Sequence, residues 1–155
     1  ALKYYKLASN KGNSNSQVSL AKILQKTDSD ESISLFKKAA EKGNIEAQEY
    51  LVKKFTQDND PENFDKYCKM LIKNGNTRVP LEFAVNLYKS KKFEQAFYYF
   101  SLLSSVNHPI ASYFLGIMNF YGQGCEKNTK ESYKILKELS DKGIEKASSF
   151  IEDHF

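Results

Sequence analysis

A residue suited to ending a helix recurs along this chain at an almost constant interval. The five marker positions are Gly12, Gly43, Gly75, Asn107 and Gly143, and successive markers lie 31, 32, 32 and 36 residues apart. Internal periods of roughly 20–50 residues are typical of proteins built from stacked repeats. The period therefore predicts a stack of helical hairpins, which presents surface for contact and no obvious centre for chemistry.

The composition suits one folded domain. Hydrophobic residues make up 41% and charged residues 27% of the 155 positions, which is an ordinary balance for a folded chain. No run of 18 apolar residues occurs, so we expect no direct membrane insertion. The net charge of +4 comes from interspersed lysines and acids. The densest basic run, at 89–92, falls in a predicted turn, and Arg78 is the only arginine, so no nucleic-acid surface is expected.

Two amphipathic patterns alternate between the markers. Second helices follow a pattern with a small residue, two large residues and another small residue on one stripe, as at 1–8 and 32–39. The first helix has a small residue with a large apolar residue four positions later, such as Ala47 and Leu51. Both spacings are typical of a helix that buries one face. The ten predicted helices span 1–11, 16–26, 30–42, 46–57, 61–74, 79–90, 93–106, 109–121, 129–142 and 146–153.

We expect residues 1–155 to form a single repeat domain that is a fragment of a longer solenoid. The predicted units are 1–15 (partial), 16–46, 47–78, 79–110, 111–146 and 147–155 (partial). Both ends fall within a hairpin and carry large apolar residues such as Tyr4 and Phe155, whereas the terminal repeats of a complete solenoid have polar caps. Self-capping or dimerisation through the ends is the alternative.

The cysteines do not form a disulfide framework. Cys68 and Cys125 are 57 residues apart, which is too distant for a staple between neighbouring hairpins, so we expect reduced thiols. Cys68 lies on an apolar stripe and is predicted to be in the core. Cys125 lies in a loop near Lys127, and both a reactive and a packed thiol are open there. With no Asn-x-Ser/Thr sequon in the chain, these features favour the cytoplasm over a glycosylated compartment.

Other candidates for catalysis or metal binding fail on spacing. His108 precedes Pro109 at a helix start, which predicts a turn or capping role. The acidic turns at 28–31 and 58–62 lack the glycine and the glutamate that an EF-hand needs at its sixth and twelfth positions, and we predict that they are helix N-caps. We therefore expect no catalytic residue, no metal and no cofactor.

Residues 111–147 resemble a Sel1-like repeat, a relative of the tetratricopeptide repeat. The family pattern is A-x-x-x-L-G-x-x-Y-x-x-G-x-G-V, a spacer, and then K-A-x-x-Y-x-x-A-A-x-x-G-x-x-x-A. The positions that match are Ala111, Leu115, Gly116, Gly122, Gly124, Gly143 and Ala147. Asn119, Cys125 and Ser132 depart from the pattern. The units at 16–47 and 47–79 lack the Gly-x-Gly loop, and 79–111 is closer to a plain tetratricopeptide repeat.

The resemblance implies an all-α, right-handed α-α superhelix of antiparallel helix hairpins, and a non-enzymatic scaffold or adaptor that binds a partner peptide or helix in a concave groove. In such stacks the first helix of each hairpin lines the groove. Carried over to this chain, the groove residues are Lys22, Glu49, Lys53, Arg78, Leu81, Val85, Tyr88, Tyr113, Ile117 and Phe120. Packing from helix to helix is the alternative role for each of them.

The expected partner is thus a protein or peptide, whose identity the sequence does not give, and the oligomeric state is equally undetermined. The second interpretation is a regulatory or targeting segment of a larger multidomain protein, such as a signalling kinase or a subunit of a membrane-protein complex. The third, from a different class, is an enzyme, which would require a polar cluster in the groove.

Overall fold

The computed structural model describes residues 6–7 and 12–155. Within these residues the regular structure consists of nine helices and no strand. The helices are α1 (Ser14–Leu24), α2 (Ser29–Glu41), α3 (Ile45–Gln57), α4 (Pro61–Lys73), α5 (Arg78–Lys89), α6 (Phe93–Ser105), α7 (Pro109–Tyr121), α8 (Thr129–Asp141) and α9 (Glu145–His154). The predicted all-α fold is confirmed. Most of the predicted helix at 1–11, including Tyr4, lies outside the described residues.

The observed helix boundaries lie within two residues of the predicted ones. The largest difference is at α1, which begins at Ser14 because Asn13 caps it: the Oδ1 atom of Asn13 accepts a hydrogen bond of 3.1 Å from the N–H of Ser16. Asn44 caps α3 in the same way, with a bond of 3.0 Å from the N–H of Ala47. After these two markers the next residue is the N-cap of the following helix, so the first helix of the hairpin starts directly after the turn.

Each marker residue has the left-handed backbone conformation, and the four markers from Gly43 to Gly143 each end a described helix. Gly43 has φ +89° and Asn107 has φ +63°, and the other three markers also have positive φ. After α2, the N–H of Gly43 donates to the carbonyl of Ala40 and the N–H of Asn44 donates to that of Ala39, both at 3.0 Å. This is a Schellman ending, which requires positive φ at its turning residue. Glycine adopts that conformation without a Cβ clash and asparagine is next best, so the role predicted for the markers is confirmed.

The acidic turns within the hairpins are helix N-caps, as predicted. The side chain of Asp28 accepts a bond of 3.1 Å from the N–H of Glu31, and that of Asp60 accepts one of 3.2 Å from the N–H of Asn63. Pro61 occupies the first position of α4, where its missing N–H costs nothing. Hydrogen bonds from the side chain and backbone of Asn63 lower the pKa of Asp60. These carboxylates therefore serve the helix starts.

The chain divides into two compact units, residues 1–74 and 75–155. In the first unit α1 packs on α2, α2 on α3 and α3 on α4, and in the second each helix from α5 to α9 packs on the next. Packing between neighbours in the chain is the hallmark of a repeat protein. The largest fully buried side chains include Phe36, Leu51, Tyr67 and Leu71 in the first unit and Phe100, Leu103, Met118 and Leu136 in the second. The repeat boundaries and the longer solenoid stay predictions.

Candidate functional site

The predicted groove residues all lie on first helices of the hairpins. Lys22 is on α1, and Glu49 and Lys53 are on α3. The seven residues of the second unit are Arg78, Leu81, Val85 and Tyr88 on α5, and Tyr113, Ile117 and Phe120 on α7. Lys22, Lys53 and Arg78 are exposed, and the other seven residues are half-buried. Each unit presents its own set.

In the first unit the three predicted residues line one surface cavity of about 420 Å³. We call it the α1–α3 cavity, and its lining consists of Lys22, Gln25, Phe36, Glu46, Glu49, Tyr50 and Lys53. The rings of Phe36 and Tyr50 stack in it, with centroids 3.8 Å apart and planes inclined by 19°. The cavity thus combines an aromatic pair with charged side chains of both signs.

The charges around the α1–α3 cavity are only partly paired. The Nζ atom of Lys22 forms an ion pair with Oε1 of Glu46, which joins α1 to α3. Both side chains are more than half exposed, at 54% and 60%, and an exposed pair contributes only about 0–1 kcal/mol. Lys53 is exposed and forms no ion pair with any described residue. A charged group of a partner could therefore replace one side of the weak Lys22–Glu46 ion pair or bind the ammonium of Lys53.

Sequence reasoning missed the aromatic pair of this cavity. Tyr50 lies four positions after Glu46 and three before Lys53, which places it on the stripe that carries the predicted residues. This helical spacing could have identified Tyr50 as a residue on the same face as the predicted groove residues. Phe36 belongs to a second helix and is fully buried, so the sequence marks it only as core.

In the second unit Tyr88 is held in place by its neighbours. Its hydroxyl donates a hydrogen bond of 3.0 Å to Oε1 of Gln123. Its ring meets those of Phe93 and Phe114 edge to face, at centroid distances of 5.3 and 5.1 Å. Tyr88 thus fastens the loop after α7 to α5 and α6, and no sequence signal predicts its bond to Gln123.

Tyr113, Ile117 and Phe120 pack against the core that α8 and α9 form. That core consists of Leu136, Leu139, Ala147 and Phe150. The ring of Phe120 lies edge-on to that of Phe150 at a centroid distance of 5.3 Å. Burial, and secondarily the nearby phenols of Tyr88 and Tyr121, raise the pKa of Tyr113. These three residues therefore contribute to helix packing, and their binding role stays a prediction.

Both thiols are placed for packing. Cys68 is fully buried as predicted, and burial, followed by the charge of Asp65, raises its pKa to about 12. Cys125 is half-buried, its Sγ lies 3.5 Å from the carbonyl oxygen of Met118, and burial raises its pKa as well. A nucleophilic cysteine needs a lowered pKa, so the geometry favours packed thiols at both positions.

His108 has the capping role predicted for it. It is the N-cap of α7, and its Nδ1 accepts a long hydrogen bond of 3.5 Å from the N–H of Ala111. Across the described ranges, no three His, Cys, Asp or Glu side chains come together in a group suited to a metal ion. In the same part of the chain, every helix is too short or too polar to span a membrane.

Comparison with known families and structures agrees with this geometry. The family model of the Sel1 repeat matches residues 1–13, 23–44, 87–108 and 109–144, which together exceed half of the chain. A search by sequence among curated proteins finds no significant match.

Two solved structures share the fold at low identity. One is a Sel1 repeat protein from Oxalobacter formigenes, with a TM-score of 0.55 and 16% identity over 99% of this chain and 48% of that one. The other is a protective antigen of uropathogenic Escherichia coli strains that displays an SLR fold, with a TM-score of 0.53 and 17% identity over 94% of this chain and 34% of that one. The chain thus spans about half and about a third of these two proteins.

Proposed function

The chain belongs to the Sel1 repeat family, whose members are generally protein-interaction scaffolds and typically non-catalytic, and we propose that it is a non-enzymatic scaffold or adaptor. Its partner is a peptide or helix that binds along the first helices of the hairpins. This proposal assigns no reaction to the chain.

The α1–α3 cavity is the observation that carries the proposal. Three predicted groove residues line it, Lys22 from one repeat and Glu49 and Lys53 from the next. The half-buried ring of Tyr50, which stacks on the buried Phe36, adds an apolar surface. An aromatic anchor point within a polar rim is the usual arrangement of an energetic hot spot in a protein interface. Its volume of about 420 Å³ lies near the small end of the usual range for ligand pockets. It therefore suits one or two side chains of a peptide.

The second unit offers a more apolar contact surface. Leu81, Val85 and Tyr88 follow one another along α5, and Tyr113, Ile117 and Phe120 do so along α7. Apolar residues of a bound helix or extended peptide would anchor on these side chains. Because Tyr88 and the α7 residues also pack internally, substitutions there change stability as well as binding. The α1–α3 cavity is the cleaner place for a test.

The test is a peptide selection from a random library, followed by affinity measurements on two charge-reversal variants. We expect Lys53→Glu to weaken the selected peptides by about fivefold, since exposed ion pairs contribute up to about 1 kcal/mol. Lys134→Glu makes the same charge change on the exposed surface of α8 and should leave the affinity unchanged. Circular dichroism checks that both variants stay helical. Failure to enrich any peptide over an unrelated helical protein, or equal losses in both variants, would refute the proposal.

A further inference from the structure

The turn between α5 and α6 places a lysine where comparable turns have asparagine or glycine. Lys91 has φ +60°, its N–H donates to the carbonyl of Tyr88 at 3.0 Å, and the next N–H donates to that of Leu87 at 2.9 Å. The same helix ending has Asn59 after α3 and Gly143 after α8, both with positive φ. A lysine there is sterically disfavoured relative to those residues. Backbone strain of this kind concentrates at functional sites, which makes Lys91 a candidate functional residue.

Lys91 lies at a surface cavity with one fixed wall. The cavity has a volume of about 770 Å³ and is lined by Lys91, Lys92, Phe93, Glu94 and Gln95 on one side and by Gly122, Gly124 and Cys125 on the other. We call it the Lys91 cavity. The loop that forms its second side rests on the start of α6, because a Cβ on Gly124 would stand 2.2 Å from the carbonyl oxygen of Phe93. Close contact between Gly124 and the backbone of Phe93 therefore holds this loop in a fixed position at the edge of the cavity.

The charge around the Lys91 cavity is positive and unpaired. Lys89, Lys91 and Lys92 are exposed, and none of them forms an ion pair within the described part of the chain. Glu94 is the one acidic residue among those that line the cavity. Two exposed lysines thus line the cavity, and a third, Lys89, lies two positions before Lys91 in the chain, a charge that complements a negatively charged partner.

We propose that the Lys91 cavity docks an acidic segment of a partner protein, and that the strained turn at Lys91 serves to place its ammonium against the partner's carboxylates. The surface fits carboxylates better than nucleic acid. It has no arginine for bidentate contact with phosphate, and its one aromatic lining residue, Phe93, is half-buried. None of the groove residues proposed above lines the Lys91 cavity, so the lysine substitutions test this site without changing a groove residue.

The experiment measures binding of a fluorescein-labelled oligoglutamate peptide to the full chain at low ionic strength, where exposed charges are weakly screened. Lys91→Asn removes the charge but suits the left-handed turn. We expect it to weaken binding by about threefold and to raise the melting temperature by about 2–4 °C. The triple variant Lys89→Gln, Lys91→Asn, Lys92→Asn should weaken binding by roughly 30-fold if the three charges act additively. The matched control, Lys134→Gln, removes an exposed charge on α8 and should change neither quantity.

Several results would overturn the proposed docking site or its proposed partner. No measurable binding of the peptide, unchanged affinity in Lys91→Asn, or an equal loss in Lys134→Gln would each overturn the docking site. A melting temperature that does not rise in Lys91→Asn would overturn the link between strain and function. Tighter binding of an oligouridine than of oligoglutamate at the same salt concentration would assign the surface to nucleic acid and overturn the proposed partner.

Discussion

At the residue scale, the distance between α7 and α8 is set by one missing side chain. Gly116 is buried on α7, and a Cβ there would lie 2.7 Å from both Cγ and Cδ2 of Leu136, which is fully buried on α8. Carbon atoms do not approach that closely, so the leucine occupies the space that an alanine methyl group would need. The glycine thus lowers the helix propensity of α7 and in return admits a large side chain from the neighbouring helix.

Replacing this glycine should destabilise the second unit despite the better helix propensity of alanine. We expect Gly116→Ala to lower the free energy of unfolding by about 1–3 kcal/mol, the usual effect of overpacking a core, as measured by urea denaturation. Leu136→Val should be less harmful in the Gly116→Ala background than alone, because valine vacates part of the contested space. A Gly116→Ala variant as stable as the parent would show that α7 and α8 are not held this close.

His108 should make stability depend on pH in the mildly acidic range. Burial lowers its pKa in the folded chain, so the unfolded chain binds a proton at a higher pH than the folded chain does. The contribution to stability is complete above the ordinary pKa of about 6.5 and is lost as the pH falls below it towards the lower folded-state pKa. Protonation also removes the Nδ1 lone pair that accepts the N–H of Ala111.

The measurement is urea denaturation between mildly alkaline and mildly acidic pH. We expect a loss of no more than about 1 kcal/mol, the usual contribution of an N-cap. His108→Asn replaces the accepting ring nitrogen by a side-chain oxygen that can also cap the helix but does not titrate, and it should flatten the profile. A profile with the same slope in His108→Asn would assign the dependence to other groups.

At the scale of elements, the loop between α7 and α8 is fixed to the hairpin before it. Gln123 accepts the hydroxyl of Tyr88, and Gly124 lies directly against the backbone of Phe93. The N–H of Asn128 donates to the carbonyl of Asn119 at 2.8 Å, which closes the loop at its far end. A long loop thereby becomes a rigid contact between hairpins.

Gly124 and Gly143 have similar backbone conformations but different surroundings, so alanine substitutions at the two positions distinguish the cost of backbone strain from the cost of steric crowding. Gly124 has φ +71° and Gly143 has φ +89°, but a Cβ at Gly143 meets nothing within 4 Å, whereas one at Gly124 meets the backbone of Phe93. We expect Gly143→Ala to cost about 1 kcal/mol from conformation alone and Gly124→Ala to cost clearly more, because backbone atoms have to move. Thermal unfolding of the two variants tests this, and equal losses would mean that the loop does not bear on α6.

The predictable part of the fold is the part governed by local chemistry. Gly43 and Asn107 end helices because of backbone sterics, and Asp28 and Asp60 begin them because a carboxylate accepts nearby N–H groups, so both roles follow from the sequence. The bond between Tyr88 and Gln123 joins positions 35 residues apart in the chain. No local pattern specifies such a bond, since it depends on how two hairpins meet.

In the candidate site, too, some residues are predictable from the sequence and others depend on how the helices pack. Lys22, Glu49 and Lys53 follow from the repeat frame because equivalent positions recur on successive first helices. Phe36 was not predictable as a lining residue, because it is fully buried on a second helix and reaches the cavity only through the stacking of its ring on Tyr50. For Tyr113 and Phe120, the repeat alignment predicts the correct helix, but the fraction of each side chain that the next hairpin buries depends on tertiary packing.

At the scale of the whole molecule, the two helices of a hairpin have different surfaces. Second helices carry ion pairs along their exposed sides, such as Asp65 with Lys69 at 2.8 Å on α4 and Lys137 with Asp141 at 3.1 Å on α8. Such pairs between residues four positions apart stabilise a helix by a few tenths of a kcal/mol. The first helices α1 and α3 also form ion pairs, Lys22 with Glu46 and Lys54 with Asp58, and in addition they border the α1–α3 cavity. We propose that the repeat assigns contact with a partner to the first helix of each pair.

Backbone amide chemical shifts, followed while the ¹⁵N-labelled chain is titrated with a selected peptide, test that assignment most directly. We expect the largest changes on α1 and α3, around Lys22, Tyr50 and Lys53, with smaller changes at Phe36 and none along the exposed sides of α4 and α8. The largest changes on α4 and α8, with α1 and α3 unaffected, would contradict it.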